Sequence, residues 1–285
     1  MVDARPSTAE SAGRSSGVVV SASLDNLRSS DVRFLQEAAR RGAVHVRLPS
    51  DGLIESRTGR PPHFPQAERQ FLATALRCVN SARVVRRPPS AALPDVATRY
   101  ATLVVPPDED DRDLRAGCRA RGIGYEVIRA EDLAGFPPFE DERPTAPPGA
   151  RRVIVTGCFD RLHSGHIRFF MDAAALGELY VVVGSDANVG LLKGPGHPLH
   201  RQDERRYMVQ AVRSVHRGLV SSGKGWMDAE PEIESIQPHL YVVNEDGDEP
   251  EKREFCRAHG LEYVVLQRKP HRNLPARTST ELRGF

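Results

Sequence analysis

The sequence predicts an α/β protein of two tandem domains, each a doubly wound parallel sheet. Three observations carry this prediction. Strand-like and helix-like segments alternate along the chain, the second half repeats the first, and a glycine-bracketed histidine motif sits where a strand hands over to a helix. Alternation of strands and helices requires crossover connections, and these generate a parallel sheet with helices on both faces.

The repeat is read first, because duplication exposes domain boundaries. Asp25-Asn26-Leu27-Arg28-Ser29-Ser30-Asp31-Val32-Arg33-Phe34 matches Asp160-Arg161-Leu162-His163-Ser164-Gly165-His166-Ile167-Arg168-Phe169. Ala38-Ala39 falls on Ala173-Ala174, Gly42 on Gly177 and Ser50-Asp51 on Ser185-Asp186. After a one-residue insertion Glu68-Arg69 meets Glu204-Arg205, and after a second insertion Leu103-Val104-Val105 meets Tyr241-Val242-Val243 and Cys118 meets Cys256.

Each copy reads strand, helix, strand, helix, strand, helix, strand. In the second, Val153 to Val155 is a β-branched strand, and Ile167, Phe170 and Ala174 recur at helical spacing until Gly177. Leu179 to Val183 is continuously apolar, as a strand covered on both faces requires. A helix is predicted over Gln202 to Val215, with Met208, Ala211, Val212 and Val215 on one face. Strands at Leu240 to Val243 and Tyr263 to Leu266 flank a helix from Pro250 to His259. The expected organisation is a disordered tail (1–16), a degenerate first domain (17–136), a proline-rich spacer (137–150) and a second domain carrying the chemistry (151–285). Each domain is thus expected to be Rossmann-like.

Composition bounds the class. With 285 residues and only four cysteines, at 78, 118, 158 and 256, there is no CxxC pair and no disulfide framework, so reduced thiols are expected. No run of about 18 apolar residues is present, and the first residues lack a secretory apolar segment, so the expectation is a cytoplasmic protein without a membrane partner. Forty basic residues balance 38 acidic ones, and Arg83 to Arg87 lacks interleaved aromatics, which argues against nucleic acid.

The chemistry concentrates in Thr156-Gly157-Cys158-Phe159-Asp160-Arg161-Leu162-His163-Ser164-Gly165-His166, directly after a strand. In an open parallel sheet, ligands bind beyond the carboxyl ends of the strands, and a helix N-terminus there offers amides to phosphate. His163 and His166 share one face of the first helical turn, and Gly165 lets backbone approach closely. Two imidazoles can donate to phosphate oxygens where charge builds in a transition state. An isolated HxxH more often caps a surface helix; the preceding strand and glycines reverse that balance. Near the end stands Arg277-Thr278-Ser279-Thr280-Glu281-Leu282-Arg283, a hydroxyl-rich segment suited to phosphate.

Through these two motifs, residues 151–285 resemble the HxGH nucleotidylyltransferases, and within them the cytidylyltransferases that act on small phosphorylated alcohols. The resemblance implies CTP as donor, Mg²⁺ on the triphosphate, and His163 and His166 as the groups stabilising the transition state. It implies that Thr278, Ser279 and Thr280 meet the outer phosphates, and that Lys193 meets the acceptor's phosphate. Arg268 and Arg283 are read as phosphate clamps, because a guanidinium engages phosphate through two donors. Thr156, Gly157, Cys158, Phe159, Asp160, Gly165 and Asp246 are expected around the nucleotide, Trp226 and Asp228 around the acceptor, and Asp160 near Mg²⁺ through water. Two departures matter. Arg213 to Gly218 replaces the family's RYVDEV, which alters the acceptor pocket, and Lys193 to Pro198 is similar to heptose-phosphate adenylyltransferases, which keeps ATP open as donor.

Opposite His163, Gly165 and His166 the first half carries Arg28, Ser30 and Asp31, and Thr58 stands opposite Lys193. A carboxylate at Asp31 repels a triphosphate. The first half is therefore expected to be an inactive scaffold packed on the second as an internal pseudo-dimer, with homodimers of the chain a further expectation from the family. A nucleotide sensor without turnover would have no need of both histidines, and a synthetase fragment would carry a lysine loop that is missing here.

Overall fold

The computed structural model describes residues 15–88, 100–140 and 148–277. The first half comprises β1 (Ser15–Ser21), α1 (Ser29–Ala39), β2 (Val44–Pro49), α2 (Asp51–Thr58), α3 (Gln66–Ala75), β3 (Ser81–Val85), β4 (Tyr100–Val105), α4 (Arg112–Ala120) and β5 (Gly124–Val127). The second comprises β6 (Arg152–Gly157), α5 (Ser164–Ala174), β7 (Glu178–Val183), α6 (Asp186–Lys193), α7 (Gln202–Gln210), β8 (Val215–Val220), α8 (Glu230–Ile236), β9 (Leu240–Asn244), α9 (Pro250–Ala258) and β10 (Glu262–Leu266). Both sheets are parallel and five-stranded, ordered β3-β2-β1-β4-β5 and β10-β9-β6-β7-β8, which is the same order in each half. Among the described residues no helix is long and apolar enough to cross a membrane.

Three expectations are corrected. Each half has a fifth strand, β3 or β8, because the predicted helix over Gln202 to Val215 stops at Gln210; Ala211 to Ser214 turn, and Val215 begins an edge strand. Lys193 closes the helix α6. The start of the spacer is packed: Phe139 is only 6% exposed and stacks on Tyr207 at 5.3 Å. Ser15 and Ser16, assigned to the tail, already belong to β1.

The duplicated residues do the same work twice. Ser50 and Ser185 cap α2 and α6, accepting from the N–H of Leu53 and Asn188 at 3.2 Å. Arg69 is wholly buried; it donates to the carbonyls of Phe64, Ser23 and Pro49 and to Asp51. Arg205 repeats this on the carbonyls of His200, Cys158 and Gly184 and on Asp186. A guanidinium satisfied by four acceptors ties strand ends, the following helix and the entering loop into one unit.

One apolar core runs through both halves, joining Leu35, Leu72 and Leu76 to Phe170, Tyr207 and Val212. The interface is self-complementary about a pseudo-two-fold axis. Leu76 and Val212 form an antiparallel bridge at its centre. Arg77 donates to the carbonyls of Val212 and Val215, and Arg213 returns the bonds to Leu76 and Val79. Each half also sends its last segment across: Phe136 and Phe139 lie on Tyr207, while His271 stacks on Phe71 at 4.2 Å.

Candidate active site

Strands β6 and β9 pair at Val153–Leu240 and Ile154–Tyr241 only, so their carboxyl ends leave a crevice at the point where the strand order reverses. There a cleft of about 450 Å³ is lined by Thr156, Phe159, His163, Gly165, His166, Asp246, Lys252 and Arg268, among others. The loop after β6 turns sharply at Phe159, which adopts φ of +49°, and buries its ring edge-on against His166 at 5.3 Å. Gly157 is required there: a Cβ would stand 2.9 Å from the Phe159 ring.

His163 is the residue before α5, and its Nδ1 accepts the Gly165 N–H at 3.1 Å. That bond puts the neutral ring's proton on Nε2. His166 stacks on it with ring centroids 3.8 Å apart, and a Cβ on Gly165 would press on the His163 ring at 3.0 Å. Burial, opposed by a backbone contact to Arg161 and reinforced by the charges of Arg268 and Lys193, lowers the His166 pKa to about 4. His166 is thus a neutral hydrogen-bond donor at physiological pH, and its buried Nδ1 has no partner among the described residues. Arg268 faces the pair, held by Asp246 and by the carbonyl of Arg277.

The cleft therefore gathers His163, His166, Gly165, Thr156, Phe159, Asp246 and Arg268, and leaves other expected residues elsewhere. Thr156 spends its hydroxyl on Tyr241 at 2.6 Å. The Cys158 thiol is pushed up by burial, which the charge of Lys193 at the end of α6 opposes; Lys193 does not line the cleft. Trp226 is half exposed with its edge against Phe255, and Asp228 accepts from the Ser221 hydroxyl; neither lines the cleft. Their loop is tied to α6 through Asn188 and Gly225. Thr278, Ser279, Thr280 and Arg283 lie outside the described residues.

Asp160 has a structural task. Its carboxylate accepts the N–H groups of Leu199 and His200 at 2.8 to 3.0 Å, as Asp25 does for His63 and Phe64 in the first half. It closes a loop, and among the described residues no group of three or more His, Cys, Asp or Glu could hold a metal ion. A Mg²⁺ held chiefly by triphosphate oxygens needs no such protein group. Residues missed in the sequence include Lys252, whose Nζ donates to the Gly247 carbonyl at the cleft wall, and Arg277, which only its adjacency to Thr278 could have flagged.

Known proteins match the same region. Residues 154–285 match the Cytidylyltransferase-like family. A FAD synthase of Aciduliprofundum boonei is 37% identical over 123 residues, which is 42% of this chain and 79% of that protein. The bifunctional protein HldE of Azotobacter vinelandii is 30% identical over 246 residues, 79% of this chain, and the chain spans 49% of its length. Among solved structures, the lipopolysaccharide core biosynthesis protein of Thermoplasma volcanium GSS1 aligns at a TM-score of 0.37 and 24% identity, covering 44% of this chain and 100% of that one. Since the match spans the histidine motif through the terminal motif, and one relative is covered over most of its length, the chain belongs to the cytidylyltransferase-like family of nucleotidyltransferases.

Proposed function

We propose that the second half transfers a nucleotidyl group from a nucleoside triphosphate to an oxyanion of a small phosphorylated acceptor, releasing pyrophosphate. The observation that supports this best is the stacked His163–His166 pair facing Arg268 across the crevice. The acceptor oxygen attacks the α-phosphorus in line, its bond forms as the bond to the bridging oxygen breaks, and pyrophosphate leaves with that oxygen. The acceptor oxygen is already ionised, so no general base is needed. His163 and His166 donate to the phosphate oxygens where charge accumulates, and Arg268 and Lys193 add positive charge without proton transfer.

CTP is the donor implied by the motif resemblance. ATP is the second reading, favoured by the FAD synthase relative, whose named product contains an adenylyl group. The test is a matrix of CTP and ATP against sugar, polyol, aminoalcohol and flavin phosphates, read as pyrophosphate. One productive pair identifies donor and acceptor; no pyrophosphate from any pair rejects the reading.

A further inference from the structure

The pseudo-two-fold makes two mirror-image contacts between the halves, and only one of them reaches the cleft. Ser29 Oγ donates to Glu204 Oε1 at 2.6 Å, and Ser164 Oγ donates to Glu68 Oε1 at the same distance. Ser164 is the residue between His163 and Gly165, at the first position of α5. Glu68 comes from α3 of the first half and is wholly buried. Its other oxygen receives Nε and Nη2 of Arg277 at 3.1 and 2.9 Å. The Arg277 carbonyl accepts from Arg268, and it lies 3.3 Å from where a Cβ on Gly165 would stand. Arg277 also sits over the Phe64 ring at 5.2 Å, again in the first half. Glu204, the counterpart of Glu68, pairs instead with His200 of its own half at 3.4 Å.

Resting on the nucleotidyl-transfer reading, we propose that Glu68 is a positioning residue of the active site, supplied by the half that has no chemistry of its own. One buried carboxylate grips the α5 N-terminus, which carries both histidines, and the Arg277 segment, which anchors Arg268 and leads in sequence to Thr278. It thereby sets the gap between the two walls that must close on a triphosphate. Displacements near 1 Å at such a site cost large factors in rate, and a charge-assisted bond shielded from water is strong enough to hold that tolerance. The second half alone would lack this brace.

Glu68→Gln keeps shape but not the charge that holds Arg277, and Glu204→Gln is the matched control across the axis. With the full chain, Glu68→Gln is expected to raise the KM and the directly titrated Kd for the nucleoside triphosphate by about tenfold or more, and to speed tryptic nicking within residues 268–277. Glu204→Gln should soften thermal unfolding to a similar degree while leaving KM within about twofold. Glu68→Asp should recover part of the lost affinity. If Glu68→Gln does not fold, Arg277→Gln breaks the same pair from the cleft side and is expected to give the same loss. Equal KM, Kd and nicking in Glu68→Gln and Glu204→Gln overturn the proposal while the functional reading stands. Wild-type protein that binds and turns over no nucleoside triphosphate overturns that reading and, with it, the positioning role.

Discussion

The two halves carry the same crevice at the same switch point and fill it with opposite chemistry. In the second, stacked imidazoles and Arg268 face the opening. In the first, Asp31 occupies the place of His166, and its carboxylate accepts the Arg28 N–H at 2.9 Å to cap α1. Ala130 falls opposite Arg268 in the register shared by β5 and β10, and Asp108, Glu109 and Asp110 rim the cleft. Burial penalises charge in both places: it drives His166 down to about 4, and it raises Asp31 and Glu109, the latter further through Asp108. Meanwhile the framework residues Asp25 and Asp160, Arg69 and Arg205, and Ser50 and Ser185 act alike in both halves. Scaffold and chemistry are therefore separable within one molecule: the first was retained twice, the second once.

That contrast can be broken most severely at the scaffold. Arg69→Ala or Arg205→Ala leaves a partly exposed aspartate and three carbonyls short of a donor, and each should cost about 3 kcal/mol by denaturant unfolding. Comparable losses sharpen the equivalence of the halves; a much smaller loss on one side refutes it. Next, His166→Ala should reduce turnover by about 100-fold or more with circular dichroism unchanged. Pure mutant protein that retains near-normal turnover removes the histidine pair from the mechanism.

A third effect is expected in acid. His166 has a folded pKa near 4 against an ordinary value of 6.5. Between those values the unfolded chain binds a proton that the folded protein refuses. Its contribution to stability is therefore complete above pH 6.5 and is lost as pH falls toward 4, on the order of 3 kcal/mol. Unfolding curves for His166→Gln should show a shallower loss across that window; identical slopes would contradict the burial of this ring. Smallest of all, Asp31→Ala should change transfer by less than about twofold, because the proposed reaction is confined to the second cleft. A large change would show that the two clefts communicate.

Sequence alone revealed much of this, and the reasons for its limits are physical. The duplication and the His163–His166 motif were legible because they are local in the chain. The edge strands β3 and β8 were not: Met208, Ala211, Val212 and Val215 satisfy a helical spacing even though a turn separates them, and β8 carries Arg217 and Gly218 in place of an apolar run. Asp160 looked like a phosphate or metal neighbour because its motif position is suggestive, yet its oxygens serve two amides about 40 residues away. The role of Glu68 depends on partners at positions 164 and 277, a separation that no pattern of spacing encodes.

The crossed arms have a consequence for how the molecule responds to substrate. A symmetric pair of working subunits offers two equivalent places to fill, and the first to fill can bias the second. Here the segment running through Phe136 and Phe139 joins the pair covalently, and the cleft of the first half is lined with carboxylates. If the proposed transfer is confined to the second half, each chain titrates with one equivalent of nucleotide along a hyperbolic curve, and cooperativity has to arise between whole chains.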